Sequence, residues 1–425
     1  MREDFLHYIW RYQKFNAHNA VTVSGLPVQV IKTGFGHTNA GPDFLQAKVK
    51  IGEVEWAGAV EIHIKASDWN KHKHQVDAAY QNVVLHVVWQ ADEVILHPDG
   101  TEIPTLELKS RVNLDLLRSY SNLVESSDEI ACSGQWPMVD SFYKTEMLER
   151  VLVERLNDKA SKAAGFFELS GQNWEEVSYI MLLSAMGFKV NQHPFERLAT
   201  LFPYSLVKKI KHHPALLEAA LFGVAGFLSD DYEDEYPNQL KKDWQFLQHK
   251  HHQTIGTTMQ LHEWRFLRLR PANFPSIRIA QLASLLHHLP SLFDAFVLDL
   301  EPEKLLKEFK VAPHSYWENH FQFDKRSQSK VKKIGDSSVQ VLLLNTVPPL
   351  LSFYAKSIGE DKYIEQAIQF LSKLKAEENF ITRKFADLGS SVKTAFDSQA
   401  YIQLHNAYCN PKKCLSCSVG ISIMK

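Results

Sequence analysis

Residues 41–74, GPDFLQAKVKIGEVEWAGAVEIHIKASDWNKHKH, decide how the N-terminal part of the chain folds. The runs DFLQAKVKIG and EVEWAGAVEIHIKAS read as two apolar strands. On the second strand the alternation predicts Glu61, His63 and Lys65 on one face, with Ile62 and Ile64 on the other. Asp43 follows Gly-Pro at the start of the first strand, where its carboxylate can face Glu61. Two carboxylates on neighbouring strands suit Mg²⁺ or Mn²⁺, with a backbone carbonyl and waters filling the remaining octahedral positions. Leaving them unpaired on apolar strands would cost several kcal/mol. A cation held there acidifies a bound water and neutralises charge developing on a phosphate, while a nearby Lys or His orients the nucleophile.

Working outward, Phe5, Leu6, Ile9, Trp10 and Phe15 follow helical spacing, and residues 21–34 alternate and turn like a hairpin. Residues 68–82 read as a polar helix with Asp68 as its N-cap, leading to the strand NVVLHVVWQ, 82–90. Two residues apart on such a helix, His72 and His74 do not share a face, so at most one would serve a given site. His86 reads equally as a core or a functional histidine. Glu3 is either an exposed acid or a further metal ligand. A short strand pair over 93–110 closes the region. Residues 1–125 are thus expected to form an α/β domain with a mixed sheet. From 126 to 425 apolar residues recur three and four apart over long runs, predicting an all-α domain that ends in a cysteine cluster. The acidic stretch 229–243 reads as a solvated loop. No fixed-period repeat is present.

The 425 residues exceed what one core usually organises, consistent with two or three domains. A formal net charge of −2 requires any nucleic-acid binding to come from a local basic face. In EWRFLRLRPANFPSIRIAQ, 263–281, Arg265, Arg268, Arg270 and Arg278 lie among Trp264, Phe266 and Phe274, types that grip phosphates and stack bases. Residues 324–335, DKRSQSKVKKIG, form a second basic stretch. The N-terminus has no signal-peptide pattern, and the later apolar runs are too short or too broken by proline to span a bilayer. A cytoplasmic protein with no membrane partner is expected. Four cysteines in a chain of this length do not make a disulfide framework. Cys409, Cys414 and Cys417 form C-x4-C-x2-C, a spacing used by iron–sulfur clusters and close to that of zinc sites. Cys132 is the available fourth thiolate, His405 is a rival that favours Zn²⁺, and unligated thiols are the plain alternative.

The order of Asp43 after proline, then Glu61 with a basic residue two positions on, resembles the PD-(D/E)xK nuclease superfamily over about 80 residues. The resemblance implies metal-dependent phosphodiester hydrolysis, with Asp43 and Glu61 as ligands and the Ile62 carbonyl assisting. His63 stands where that pattern has lysine, and Lys65 is the candidate stand-in. Some nucleases of the superfamily carry one cysteine far from a C-terminal three around an iron–sulfur centre. Through GPDF, GAVEIHIKASDWNKHKHQVDAAYQNVVLHVVW, RLRPANFPSIRIAQLA and YCNPKKCLSCSVG, the whole chain resembles the bacterial family termed domain of unknown function 2851. That resemblance implies a shared architecture without an established activity. The expected function is metal-dependent cleavage of DNA or RNA. The alternatives are a catalytically silent nucleic-acid-binding protein of the same fold and a hydrolase of a smaller phosphoester.

Overall fold

The computed structural model describes every residue except 38, 39 and 425. The chain divides into two compact units, Met1–Met147 with Leu404–Lys425, and Leu148–Gln403. The boundary expected at 125 therefore falls later, and the cysteine tail belongs with the N-terminal unit instead of the helical one. Buried Ile130, Cys132 and Trp136 give the segment after residue 125 its own apolar anchors.

In the first unit, α1 (Glu3–Arg11) buries Phe5, Leu6, Tyr8, Ile9 and Trp10 and carries Glu3 and Asp4 in its first turn. The strands are β1 (Val28–Lys32), β2 (Phe35–Gly36), β3 (Phe44–Ile51), β4 (Val54–Lys65), β5 (Val83–Gln90) and β6 (Thr105–Glu107). They form a mixed sheet of order β1-β3-β4-β5-β6, with β2 also paired to β3. The β1–β3 and β3–β4 pairs are antiparallel, whereas β4–β5 and β5–β6 are parallel. The hairpin expected over 21–34 is reduced to a Val21–Pro27 bridge, because β1 pairs with β3. Likewise the pair expected over 93–110 is only a Leu96–Glu102 bridge, and β6 joins β5 in parallel.

Strand β4 is exposed over its first four residues and continuously buried from Gly58 to His63. Both faces are covered there, so Glu61 (4 % exposed), Ile62 (0 %) and His63 (1 %) are all interior. Gly58 permits the crossing to β5, since a Cβ at that position would lie 2.6 Å from the Asn82 carbonyl oxygen.

The helix expected over 68–82 is broken. Helix α2 (Asp68–Lys71) stops at His72, Lys73 adopts φ +63°, and two 3-10 turns follow, His74–Val76 and Ala78–Tyr80. Nor is Asp68 the N-cap. As the first helical residue it accepts hydrogen bonds from the Lys65 backbone N–H (3.0 Å) and Lys71 Nζ (2.7 Å).

The second unit is helical apart from the short strand pair His320–Gln322 and Lys325–Arg326. Helices Trp174–Met186, Pro214–Val224 and Pro275–His288 are largely buried and form its core. The acidic stretch expected as a loop becomes helical at Glu235, in Glu235–Lys250. Among the described residues, Asp336–Ile358 is long and apolar enough to cross a membrane, despite Pro348 and Pro349 within it. Because 67 % of its apolar window is buried inside the protein, it packs as a core helix.

Candidate metal-binding site

Asp43 immediately precedes β3, next to the Phe44–Val60 register pair, which sets it beside Glu61. The two are clasped reciprocally: Ile62 N–H donates to Asp43 Oδ2 (3.0 Å), and Asp43 N–H donates to Glu61 Oε2 (3.1 Å). Helix α1 adds two groups one turn apart on one face, Glu3 and His7. His7 Nε2 lies 3.2 Å from Asp43 Oδ2. Burial opposes charge on His7, but the Asp43 and Glu3 carboxylates outweigh it and its pKa is raised. Glu3 is raised by burial and by Asp43. Burial, then the Asp43 charge, pushes Glu61 up to about 9, so without a cation it holds a proton at neutral pH. Carboxylates from α1, the entry to β3 and β4 thus act on one another at one end of the sheet.

On the other side of Glu61 stand imidazoles. His63 Nδ1 is 2.9 Å from His86 Nε2, and His63 Nε2 is 3.2 Å from His72 Nδ1. Glu61 Oε1 lies 3.5 Å from His63 Nε2 and 3.4 Å from His74 Nε2. One ligand nitrogen from each of His63, His72 and His74 falls within 4.8 Å of the other two. Contrary to expectation, His72 and His74 both reach the site, because the left-handed residue between them turns the chain where a helix would have splayed the two rings. His74 stacks on Tyr80 with ring centroids 3.8 Å apart, and the Trp69 ring edges against it. Burial depresses His63 and His86 to about 3, so both rings are neutral.

Lys65, expected to share the face of Glu61 and His63, is exposed at the end of β4, where its charge acts on Asp92. His7 was missed, although its spacing from Glu3 on an amphipathic helix was a usable signal. Tyr80 carried no comparable signal.

The four cysteines all lie in the first unit, within one another's electrostatic range. Cys132, Cys414 and Cys417 are buried and Cys409 is partly so. The Cys409 thiol is raised by burial and by the other three, and Cys132 is pushed up to about 12 by burial and by Cys417 and Cys414. Cys414 is pushed up to about 11 by burial and by Cys417. His405, the rival ligand, is buried, with its Nε2 3.7 Å from Glu129 Oε2.

In the helical unit Arg265, Arg268 and Arg270 are exposed on a segment of loops and 3-10 turns. Arg278 is 3 % exposed and does not join them. Its guanidinium donates to Gln281, Asn273 and Ser338 and stacks 4.6 Å over Phe188, which makes it a core crosslink and removes it from the nucleic-acid-binding set. Trp264 is likewise core, donating to the Ala225 carbonyl at 2.8 Å. In the second basic stretch Lys332 is buried and donates to the Glu318 carbonyl at 2.7 Å, while Lys325 and Arg326 are exposed.

Among known proteins, a family model described as "Protein of unknown function (DUF2851)" matches residues 3–380. No curated protein and no solved structure matches the chain.

Proposed function

We infer that this chain, which belongs to the DUF2851 family, hydrolyses phosphodiester bonds of DNA or RNA with Mg²⁺ or Mn²⁺ at its N-terminal unit. The observation that carries this reading is the mutual influence of the Glu3, Asp43 and Glu61 carboxylates, two of them locked by the reciprocal backbone bonds. Hard carboxylate oxygens are the donors a small divalent cation prefers. When bound, the cation supplies Lewis acidity toward a phosphate oxygen and lowers the pKa of a bound water. The protein's own part is orientation. Ile62 N–H holds the Asp43 carboxylate, Asp43 N–H holds Glu61, and the neutral His63 ring can hydrogen-bond and orient an attacking water. His86 fixes the orientation of His63 from behind.

Two further assignments belong to this reading. Arg265, Arg268 and Arg270 supply phosphate contacts for nucleic-acid binding from the helical unit. Cys132, Cys409, Cys414 and Cys417 hold an iron–sulfur cluster or Zn²⁺, a fit supported by four thiols that lie within one another's electrostatic range.

The test is cleavage of single- and double-stranded DNA and RNA with Mn²⁺ or Mg²⁺. Asp43→Ala and Glu61→Ala are each expected to abolish cleavage while retaining the folded circular-dichroism spectrum. Undiminished cleavage by either variant would refute the assignment.

A further inference from the structure

Glu61 presents different oxygens to its two sides. Oε2 accepts the Asp43 N–H, whereas Oε1 faces the rings of His63 and His74. We propose that His63, His72 and His74 form a second metal position on the Oε1 side, selective for a first-row divalent ion that prefers imidazole, such as Zn²⁺ or Co²⁺. It goes beyond the hydrolytic reading and does not depend on it; an ion here would occupy the His63 Nε2 that the hydrolytic reading turns toward water, so the two uses of that ring exclude each other.

The geometry supports it quantitatively. With Zn–N bonds of about 2.0–2.1 Å, neighbouring ligands on a tetrahedron stand about 3.3 Å apart. His63 Nε2 and His72 Nδ1 are already 3.2 Å apart, and the three ligand nitrogens lie within 4.8 Å of one another. Small ring rotations would close the remaining gap. The ligands come from β4, the end of α2 and the first 3-10 turn, so the ion would tie the β4–β5 crossover to the sheet.

The surroundings are those of a ligand set. A histidine that ligates a metal usually donates its other ring N–H to a partner that fixes tautomer and orientation. His63 Nδ1 meets His86 Nε2 at 2.9 Å, and His86 is wholly buried on β5. With the proton on His63 Nδ1, its Nε2 lone pair points toward His72 Nδ1. Tyr80 stacked on His74 and Trp69 against its edge restrict the third ring. Three imidazoles leave a fourth position for water, the pattern of a reactive site and not of a closed structural one. Glu61 Oε1, 3.5 Å and 3.4 Å from two of the nitrogens, is placed to accept a hydrogen bond from that water. Mg²⁺ binds poorly to such a set, because it favours oxygen donors.

The test uses the full-length chain stripped of metal and titrated with Co²⁺ in the absence of nucleic acid. The cysteines are separated spectroscopically, since thiolate ligation adds near-ultraviolet charge transfer that imidazole ligation lacks. Wild type is expected to bind one Co²⁺ showing visible d–d bands without that charge transfer, undisplaced by excess Mg²⁺. His72→Ala, a change at an exposed ring, and His74→Ala should each weaken this binding at least about tenfold. The exposed control His18→Ala should not. Asp43→Asn should lose cleavage yet keep this Co²⁺ site, which separates failure of the hydrolytic reading from failure of this one. In wild type, ring ¹⁵N resonances of three histidines should shift together on adding Zn²⁺, a readout that survives even if a variant misfolds. Unchanged Co²⁺ binding in both histidine variants, displacement by Mg²⁺, or no ¹⁵N shift would overturn the proposal.

Discussion

At position 63 a buried imidazole stands where the nuclease pattern has lysine, and the only nearby lysine on that strand face, Lys65, is in solvent. If His63 orients the attacking water, Lys65→Ala should keep cleavage within about twofold of wild type, an effect of ~0.4 kcal/mol. His63→Ala should lower it by at least about 100-fold. Steady-state rates with Mn²⁺ check both, and a large loss in Lys65→Ala would return the basic role to the lysine. That Asp43 lies beside Glu61 was legible in the sequence, because Gly-Pro places Asp43 at the entry to a strand that neighbours the one carrying Glu61. The fate of Lys65 was not, since alternation does not reveal where a strand leaves the covered part of its sheet. Arg278 misled for a related reason: an arginine among aromatic residues reads alike whether it grips a ligand or crosslinks a core.

The crossover between β4 and β5 decides the histidine side of the site. Its sequence reads as one polar helix, yet Lys73 at φ +63° divides it into α2 and two 3-10 turns. No glycine, asparagine or proline marks that residue, which is why the break was illegible. A left-handed non-glycine residue costs roughly 1–2 kcal/mol, so Lys73→Gly should stabilise the metal-free unit by about 1 kcal/mol and leave Co²⁺ binding intact. Lys73→Val should destabilise it by a similar amount and weaken Co²⁺ binding, because a β-branched residue resists this conformation. Thermal melts with parallel Co²⁺ titrations would decide, and a stable, fully binding Lys73→Val would show that the turn does not position the histidines. The strands themselves were legible as elements, but their pairing was not. β1 and β6 find partners through tertiary contacts with β3 and β5, which local patterns do not encode.

Over the whole chain, the change from a mixed sheet to helices was visible as a change of apolar period. The return of the tail to the first unit was not, since nothing local links Cys132 to residues some 280 positions later. If those thiols hold a metal, serine at any one of the four positions should lower both metal content and melting temperature, because binding free energy at a structural site becomes folding free energy. Elemental analysis with calorimetry of each variant checks this, and unchanged metal content in all four would leave them as plain core thiols. Whether carboxylates from α1, the entry to β3 and β4 bind a hydrolytic cation is decided by anomalous diffraction from crystals soaked in Mn²⁺. A manganese peak is expected within coordination distance of Asp43 and Glu61 oxygens. Manganese-saturated crystals with no peak between those two carboxylates would contradict it.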